Sequence, residues 1–161
     1  MTLRIVATGG TFDKHYNELT GVLGFSESHL PAVIERTRMT VPVQLDVLPL
    51  LDSLDMQDPD RARVLDTCQR AAEHAIVIIH GTDTMRETAA VLGAANLGKT
   101  IVLTGAMIPY EIANSDALFN LGVAVGVAQV LPAGVYVAMN GQVFPWDNVQ
   151  KNKSAGVFQT L

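Results

Sequence analysis

Five consecutive apolar residues, Ala75-Ile76-Val77-Ile78-Ile79, four of them β-branched, end abruptly at His80-Gly81. A run this short, bounded by turn residues, reads as a strand with both faces buried. Such strands belong to parallel sheets, which occur almost only where helices cover both sides. Other segments fit the same plan. The largely apolar run Leu3 to Thr8 stops at glycines, and Val41 to Pro49, Thr100 to Thr104 and Val135 to Met139 read as further strands. Helices are expected between them, at Ser28 to Thr37, from Asp58-Pro59 to about Glu73, from Thr84 to Asn96, and from Ser115 to Val130. Asp58 is the expected cap of the second helix, with Pro59 at its first position. Thr84 with Glu87 reads as a capping box opening the third. Gly9 to Gly24, polar and rich in glycine, reads as a mobile loop, and the residues after Met139 as a polar tail with one tryptophan. This alternation predicts an α/β fold, a three-layer Rossmann- or flavodoxin-like domain with a mainly parallel sheet, formed by residues 1–161 as a single unit.

Composition narrows the function classes. With 48% apolar and 17% charged residues, the 161-residue chain has material for a core and is unlike a disordered one. The lone cysteine, Cys68, excludes an internal disulfide and a cysteine-cluster metal site. A net charge of -5 has the wrong sign for a nucleic-acid footprint or an anionic membrane surface. The first apolar run is too short for a signal peptide, and no segment approaches the ~20 apolar residues of a membrane span. A cytoplasmic protein with no nucleic-acid or membrane partner is therefore expected.

In open parallel sheets ligands bind just beyond the carboxyl ends of the strands. Three such ends carry Thr8-Gly9-Gly10-Thr11, His80-Gly81-Thr82-Asp83-Thr84 and Thr104-Gly105-Ala106-Met107. Side by side, they would gather threonine hydroxyls, glycine amides and a carboxylate in one crevice. Free amides and the start of a helix near Thr84 would favour a small anion or an oxygen gaining negative charge. No G-x-G-x-x-G follows the first strand, and neither G-x-x-x-x-G-K-[ST] nor G-x-S-x-G occurs, which sets nucleotide binding and a serine nucleophile elbow aside. The histidines at 15, 29, 74 and 80 show no metal-ligand spacing. No metal or organic cofactor is expected, His29 and His74 read as solvated surface residues, and His80 as a hydrogen-bonded structural imidazole. Met85, Met107 and Met139 read as core or pocket filler, and Trp146 as cover for apolar surface or an interface.

Thr8-Gly9-Gly10-Thr11 and His80-Gly81-Thr82-Asp83-Thr84-Met85, followed by Gly105-Ala106-Met107-Ile108-Pro109, resemble the signature segments of bacterial-type L-asparaginases. The resemblance runs over essentially the whole chain and corresponds to the larger, N-terminal domain of that family. It implies hydrolysis of the side-chain amide of L-asparagine through a threonine acyl-enzyme. Carried over, the catalytic set is Thr11 as nucleophile, Tyr16 as its activator, and a Thr82–Lys151–Asp83 group, with Lys153 a rival to Lys151. Gly10, Ser53, Leu54, Thr82 and Asp83 become the substrate-binding set, Asp83 also a counter-charge for the substrate ammonium.

The chemistry agrees with these roles. A threonine hydroxyl is a weak nucleophile unless a base assists it. A lysine serves as base only where its surroundings favour the neutral form, and a carboxylate beside it works the other way. The backbone N–H groups of Thr11 and Thr82 would form an oxyanion hole, each donor typically worth ~10²–10³ in rate. Two departures stand out. Leu54 replaces the glutamine usual after the carboxylate-binding serine, and the chain ends at Leu161, before the smaller domain that supplies an ammonium-binding acid in the larger relatives. A short single-domain variant is therefore expected. Its open pocket suggests a homo-oligomer, dimer or tetramer, with a partner loop or Glu27 as replacement donor. Glutamine or another small amide is the alternative substrate, and a non-catalytic amino-acid-binding domain the alternative class.

Overall fold

The computed structural model describes residues 1–161. Six strands form the main sheet: β1 (Leu3–Gly9), β4 (Val43–Leu51), β5 (Ala75–Ile79), β6 (Thr100–Thr104), β7 (Gly134–Met139) and β8 (Gln142–Pro145). Two short antiparallel pairs complete the strands, β2 (His15–Asn17) with β3 (Val22–Gly24), and β9 (Gln150–Asn152) with β10 (Val157–Gln159). The main sheet runs β4-β1-β5-β6-β7-β8, parallel except for β8, which turns back on β7. The four helices are α1 (Leu30–Arg36), α2 (Asp58–Arg70), α3 (Met85–Ala95) and α4 (Ala117–Ala128).

Alternation along the strands sorts side chains to two cores, as a sheet covered on both faces requires. Leu3, Ile5, Val77, Ile79 and Val102 pack with Leu30 and Val33 of α1 and Ala117, Leu121 and Ala124 of α4. Val6, Ile76, Ile78, Ile101 and Leu103 pack with Val64 and Cys68 of α2 and Met85, Ala89 and Leu92 of α3. Burial pushes the Cys68 thiol up to about 12, so it stays protonated as core material. Pro49 is tolerated because β4 is an edge strand. Trp146 lies against α3 at Gly93, where a Cβ would stand 2.3 Å from its ring. None of the helices is long and apolar enough to cross a membrane.

The structure amends several sequence readings. The expected loop from Gly9 to Gly24 contains the β2–β3 hairpin. Its turn is closed by the Asn17 carboxamide, which accepts from the N–H groups of Leu19 and Thr20, and by Gly21 at φ +70°. The cap of α2 is Gln57, paired reciprocally with Asp60, so that Asp58 and Pro59 lie inside the first turn. Thr84 stands at the start of α3 but makes no side-chain cap; its hydroxyl donates to the Ser53 carbonyl at 2.8 Å. The tail supplies β8, β9 and β10. Met107 is exposed, whereas Met85 and Met139 are buried.

The chain switches direction across the sheet between β1 and β5, since β1 connects outward to β4 and β4 returns to β5. A crevice at the carboxyl ends of the strands opens at such a point. Here that place is flanked by Gly10 and His80-Gly81.

Candidate active site

Two glycines bring the threonine motifs together. Gly10 takes φ +76°, and a Cβ on it would stand 2.4 Å from the Gly81 nitrogen. Gly81 is equally constrained, with 2.5 Å between its notional Cβ and the Ser53 side chain. Only hydrogen at both positions lets the loops after β1, β5 and β4 meet. Three of the expected positions, Gly10, Ser53 and Thr82, thereby come into one neighbourhood.

Around Thr82 the side chains are tied. The Lys151 ammonium, from β9, donates to Thr82 Oγ1 at 2.7 Å and to Asp83 Oδ1 at 2.9 Å. Thr82 is buried and the Lys151 side chain only 12% exposed. Lys153, two residues on, is exposed, so the chain's folding presents Lys151 to the pair. Ser53 is buried in a single 3-10 turn capped by Asp52, whose carboxylate accepts from the Leu54 N–H at 3.0 Å. The Ser53 hydroxyl accepts from the Thr84 N–H at 3.2 Å. Leu54, next in that turn, is 64% exposed.

Around Thr11 they are not. Thr11 opens a 3-10 turn, half-buried, and its hydroxyl makes no hydrogen bond within the chain. Tyr16, on β2, is 53% exposed; its backbone N–H donates to the Glu111 carboxylate, while its hydroxyl is also without a partner. The structure thus gathers Gly10, Ser53, Thr82, Asp83 and Lys151, and leaves the Tyr16 and Leu54 side chains facing outward.

The other strand-end threonines point elsewhere. Thr8 donates to the Ile79 carbonyl and Thr104 to the Ala138 carbonyl, each at 2.8 Å and buried. They knit neighbouring strands together and add nothing to the crevice. His80 is the structural imidazole that the sequence suggested. Its Nδ1 faces the Gly81 carbonyl and its Nε2 the Thr88 hydroxyl, both at 2.7 Å. A carbonyl only accepts, so Nδ1 carries the proton and Nε2 accepts from Thr88. Desolvation holds the pKa of this fully buried ring down to about 4 and keeps it neutral.

Four residues were missed. Lys14 Nζ lies 2.8 Å from Asp52 Oδ2, and this hydrogen bond, with that of the Leu54 N–H, holds the Asp52 carboxyl below its usual range. Asp13 is fully buried and accepts from the Ser28 hydroxyl at 2.5 Å and the His29 N–H at 2.8 Å, anchoring the far end of the hairpin. Asp116 accepts from the N–H groups of Met107 and Ile108, fixing the loop after β6. The buried acid directly after Thr11-Phe12 was the one available signal, since aspartate is rarely buried unpartnered. His29, expected on the surface, is instead stacked on His15 with ring centroids 3.9 Å apart. The rings meet because the hairpin carries β2 back over the residues before α1, a tertiary contact that spacing does not disclose. His74 is exposed as expected.

The chain is similar to known proteins over its whole length. The profile of the family described as Asparaginase, N-terminal matches residues 2–159. L-asparaginase 1 of Escherichia coli (strain K12) is 30% identical over 164 residues, covering 96% of this chain and 48% of that protein. The structure of the thermostable L-asparaginase from Thermococcus kodakarensis superimposes with a TM-score of 0.85 at 29% identity, over all of this chain and 51% of that one. A probable cytoplasmic L-asparaginase from Campylobacter jejuni gives 0.83 at 28% identity, over 99% of this chain and 52% of that one. The chain spans about half the length of these proteins, and it belongs to the asparaginase family, corresponding to its N-terminal domain.

Proposed function

We propose that this chain, one domain over residues 1–161, carries the amide-hydrolysing centre of an L-asparagine amidohydrolase that works through a threonine acyl-enzyme. The observation that carries the reading is the Lys151 ammonium at 2.7 Å from Thr82 Oγ1 and 2.9 Å from Asp83. With Lys151 donating, the Thr82 oxygen is engaged as acceptor and its own proton is free to point at a ligand.

In this reading Thr11 Oγ attacks the side-chain amide carbon. The oxyanion that forms is met by the N–H groups of Thr11 and Thr82, on the two loops that Gly10 and Gly81 allow to meet. The hydroxyl proton of Thr11 passes to the leaving nitrogen by way of Thr82. The C–N bond then breaks, ammonia departs and an aspartyl ester remains on Thr11. Water, oriented by Thr82, attacks the ester, the C–O bond breaks, and L-aspartate and the free Thr11 hydroxyl result. Ser53 and Gly10 supply polar groups for the substrate α-carboxylate, and Asp83 a counter-charge for its ammonium. Tyr16 joins the site only when the hairpin closes over substrate. No step calls for a metal or an organic cofactor. A cytoplasmic homo-oligomer, dimer or tetramer, fits a site beside which the Leu54 and Tyr16 side chains are exposed.

Intact mass spectrometry of a rapidly acid-quenched reaction with L-asparagine tests the reading. An adduct of the mass of an aspartyl ester, mapped to Thr11, is the expected result. Ammonia release with the adduct on another residue overturns the assignment of the nucleophile. The exposed Leu54 favours one second reading, a binding domain without turnover: thermal stabilisation by L-aspartate with no ammonia from L-asparagine, L-glutamine or D-asparagine would select it. Light scattering that shows only monomer removes the oligomer.

A further inference from the structure

At the root of the β2–β3 hairpin, away from the Thr82–Lys151 group, three side chains from distant parts of the sequence converge. His15 lies on β2, His29 directly before α1, and Glu111 in the segment between β6 and α4. One donor atom from each lies within 4.8 Å of those of the other two. His15 Nδ1 is 3.5 Å and His29 Nε2 3.8 Å from the same carboxylate oxygen of Glu111.

These separations are too long for hydrogen bonds, whose heavy atoms sit ~2.7–3.2 Å apart. The two separations from Glu111 approach the edges of a coordination tetrahedron, and the stacked rings, 3.9 Å apart at their centroids, would tilt apart to share one ion. Zinc–nitrogen and zinc–oxygen bonds of ~2.0–2.2 Å place neighbouring ligand atoms about 3.4 Å apart. Three further contacts favour such a site. His15 Nε2 stands 2.7 Å from the Glu27 carbonyl, so that nitrogen carries the proton and Nδ1 presents a lone pair to the cluster. The second oxygen of Glu111 accepts from the Tyr16 N–H, which orients the carboxylate. His29 Nε2 is sealed from solvent and has no hydrogen-bond partner, although it points at the carboxylate. A buried ring nitrogen without a partner is costly, and a shared cation satisfies it, His15 and Glu111 together. The ring of Tyr110, 5.2 Å from that of His29, walls the cluster on one side.

We propose that His15, His29 and Glu111 bind one divalent transition-metal ion, of which Zn²⁺ is the type, with a water molecule in the fourth position. Two imidazoles and a carboxylate suit zinc, cobalt or nickel and not magnesium or calcium, which take oxygen ligands. The ion would staple the hairpin to the α1 entry and to the segment after β6. It would set the hairpin's stance four residues beyond Thr11 and has no part in the chemistry itself.

Isothermal titration of the untagged full chain with Zn²⁺ tests this, with Mg²⁺ at equal concentration as the contrast. One Zn²⁺ per chain is expected, with no heat from Mg²⁺. Glu111→Gln and His29→Ala should each raise the Kd at least tenfold, a lower bound set by what loss of a mere supporting contact does at such sites. His74→Ala, which removes an exposed histidine far from the cluster, should leave the affinity unchanged. Equal binding by wild type, Glu111→Gln and His29→Ala, or its loss in His74→Ala, overturns the proposal, as does the absence of binding. Should the variants fold poorly, the visible spectrum of wild type titrated with Co²⁺ decides. Intense tetrahedral bands support the site, and the weak spectrum of hydrated cobalt refutes it.

Discussion

Thr82 and Thr11 stand on abutting loops, yet they are held in opposite ways. Thr82 follows a strand with every residue buried, and Lys151, Asp83 and the Ser53–Thr84 pair fix its surroundings. Thr11 leads into a two-stranded hairpin with a solvent-exposed tip, and its hydroxyl has no partner. Hydrogen bonds inside the protein preorganise the first of these, and only a ligand can complete the second. For the amidohydrolase reading this division is chemically sensible. An oxyanion site is effective when its donors need no rearrangement, whereas a nucleophile committed to a protein acceptor would have to break that bond before attacking.

The sharpest way to break the contrast is Thr11→Val. Turnover of L-asparagine should fall by ~10⁴-fold or more, as for loss of a nucleophile. Stability should change by less than about 0.5 kcal/mol, because no hydrogen bond is lost. Ammonia release and a urea midpoint measured on the same sample check both halves, and residual activity within tenfold of wild type would sink the role of Thr11. Lys151→Met comes next. It removes the donor to Thr82 and leaves the loop in place, so kcat should fall ~10²–10⁴-fold. The lost ion pair is mostly buried and hydrogen-bonded, so a loss of about 1–3 kcal/mol in stability should accompany it. A steady-state assay in which KM rises and kcat holds would reassign Lys151 to substrate binding.

Glycine substitutions compare the same two regions through stability. Gly10→Ala puts a methyl group 2.4 Å from the Gly81 nitrogen at φ +76°, and backbone cannot give way as a side-chain end can. A loss of about 3 kcal/mol or more is expected from the overlap and the strained dihedral together. Gly21→Ala, at the hairpin tip with φ +70°, meets nothing within 4 Å. Only the left-handed conformation is penalised there, by about 1 kcal/mol. Denaturant melts of the two variants should therefore separate clearly; equal losses would mean that the loops do not meet as described.

How much was legible in the sequence follows the same boundary. The parallel strands announced themselves because burial on both faces leaves uninterrupted apolar runs, as in β5, and their order placed the crevice. The later strands did not. Gln150-Lys151-Asn152 is polar throughout, and β8 owes its place to pairing with β7, not to any pattern of its own. Lys151 was found through resemblance, for no local rule points from a polar tripeptide to a contact with Thr82 sixty-nine positions away. The hairpin escaped for a similar reason, since His15-Tyr16-Asn17 lacks apolar alternation and its turn rests on one carboxamide. Thr84 shows the converse error. Its spacing to Glu87 fits a capping box, but Ser53 arrives from another strand end and takes its hydroxyl. Local rules state what a side chain can do, and tertiary neighbours decide which option is used.

His80 offers a smaller effect than Gly10 and tests the tied region alone. Its folded pKa, held near 4 by burial, lies below the ~6.5 of an unfolded histidine. Below about pH 6.5 the unfolded chain therefore binds a proton that the folded chain refuses. The contribution is complete above that pH and is lost progressively as pH falls toward 4. Between pH 7 and pH 5 the unfolding free energy should drop by about 2 kcal/mol from this ring. Urea melts across that range check the slope, and the ring-proton NMR signal of His80 should hold its neutral position at pH 5 while the chain remains folded. A His80 signal that titrates near 6.5 in the folded protein would show that water reaches the ring, and that the loop carrying Thr82 is no better fixed than the hairpin it faces.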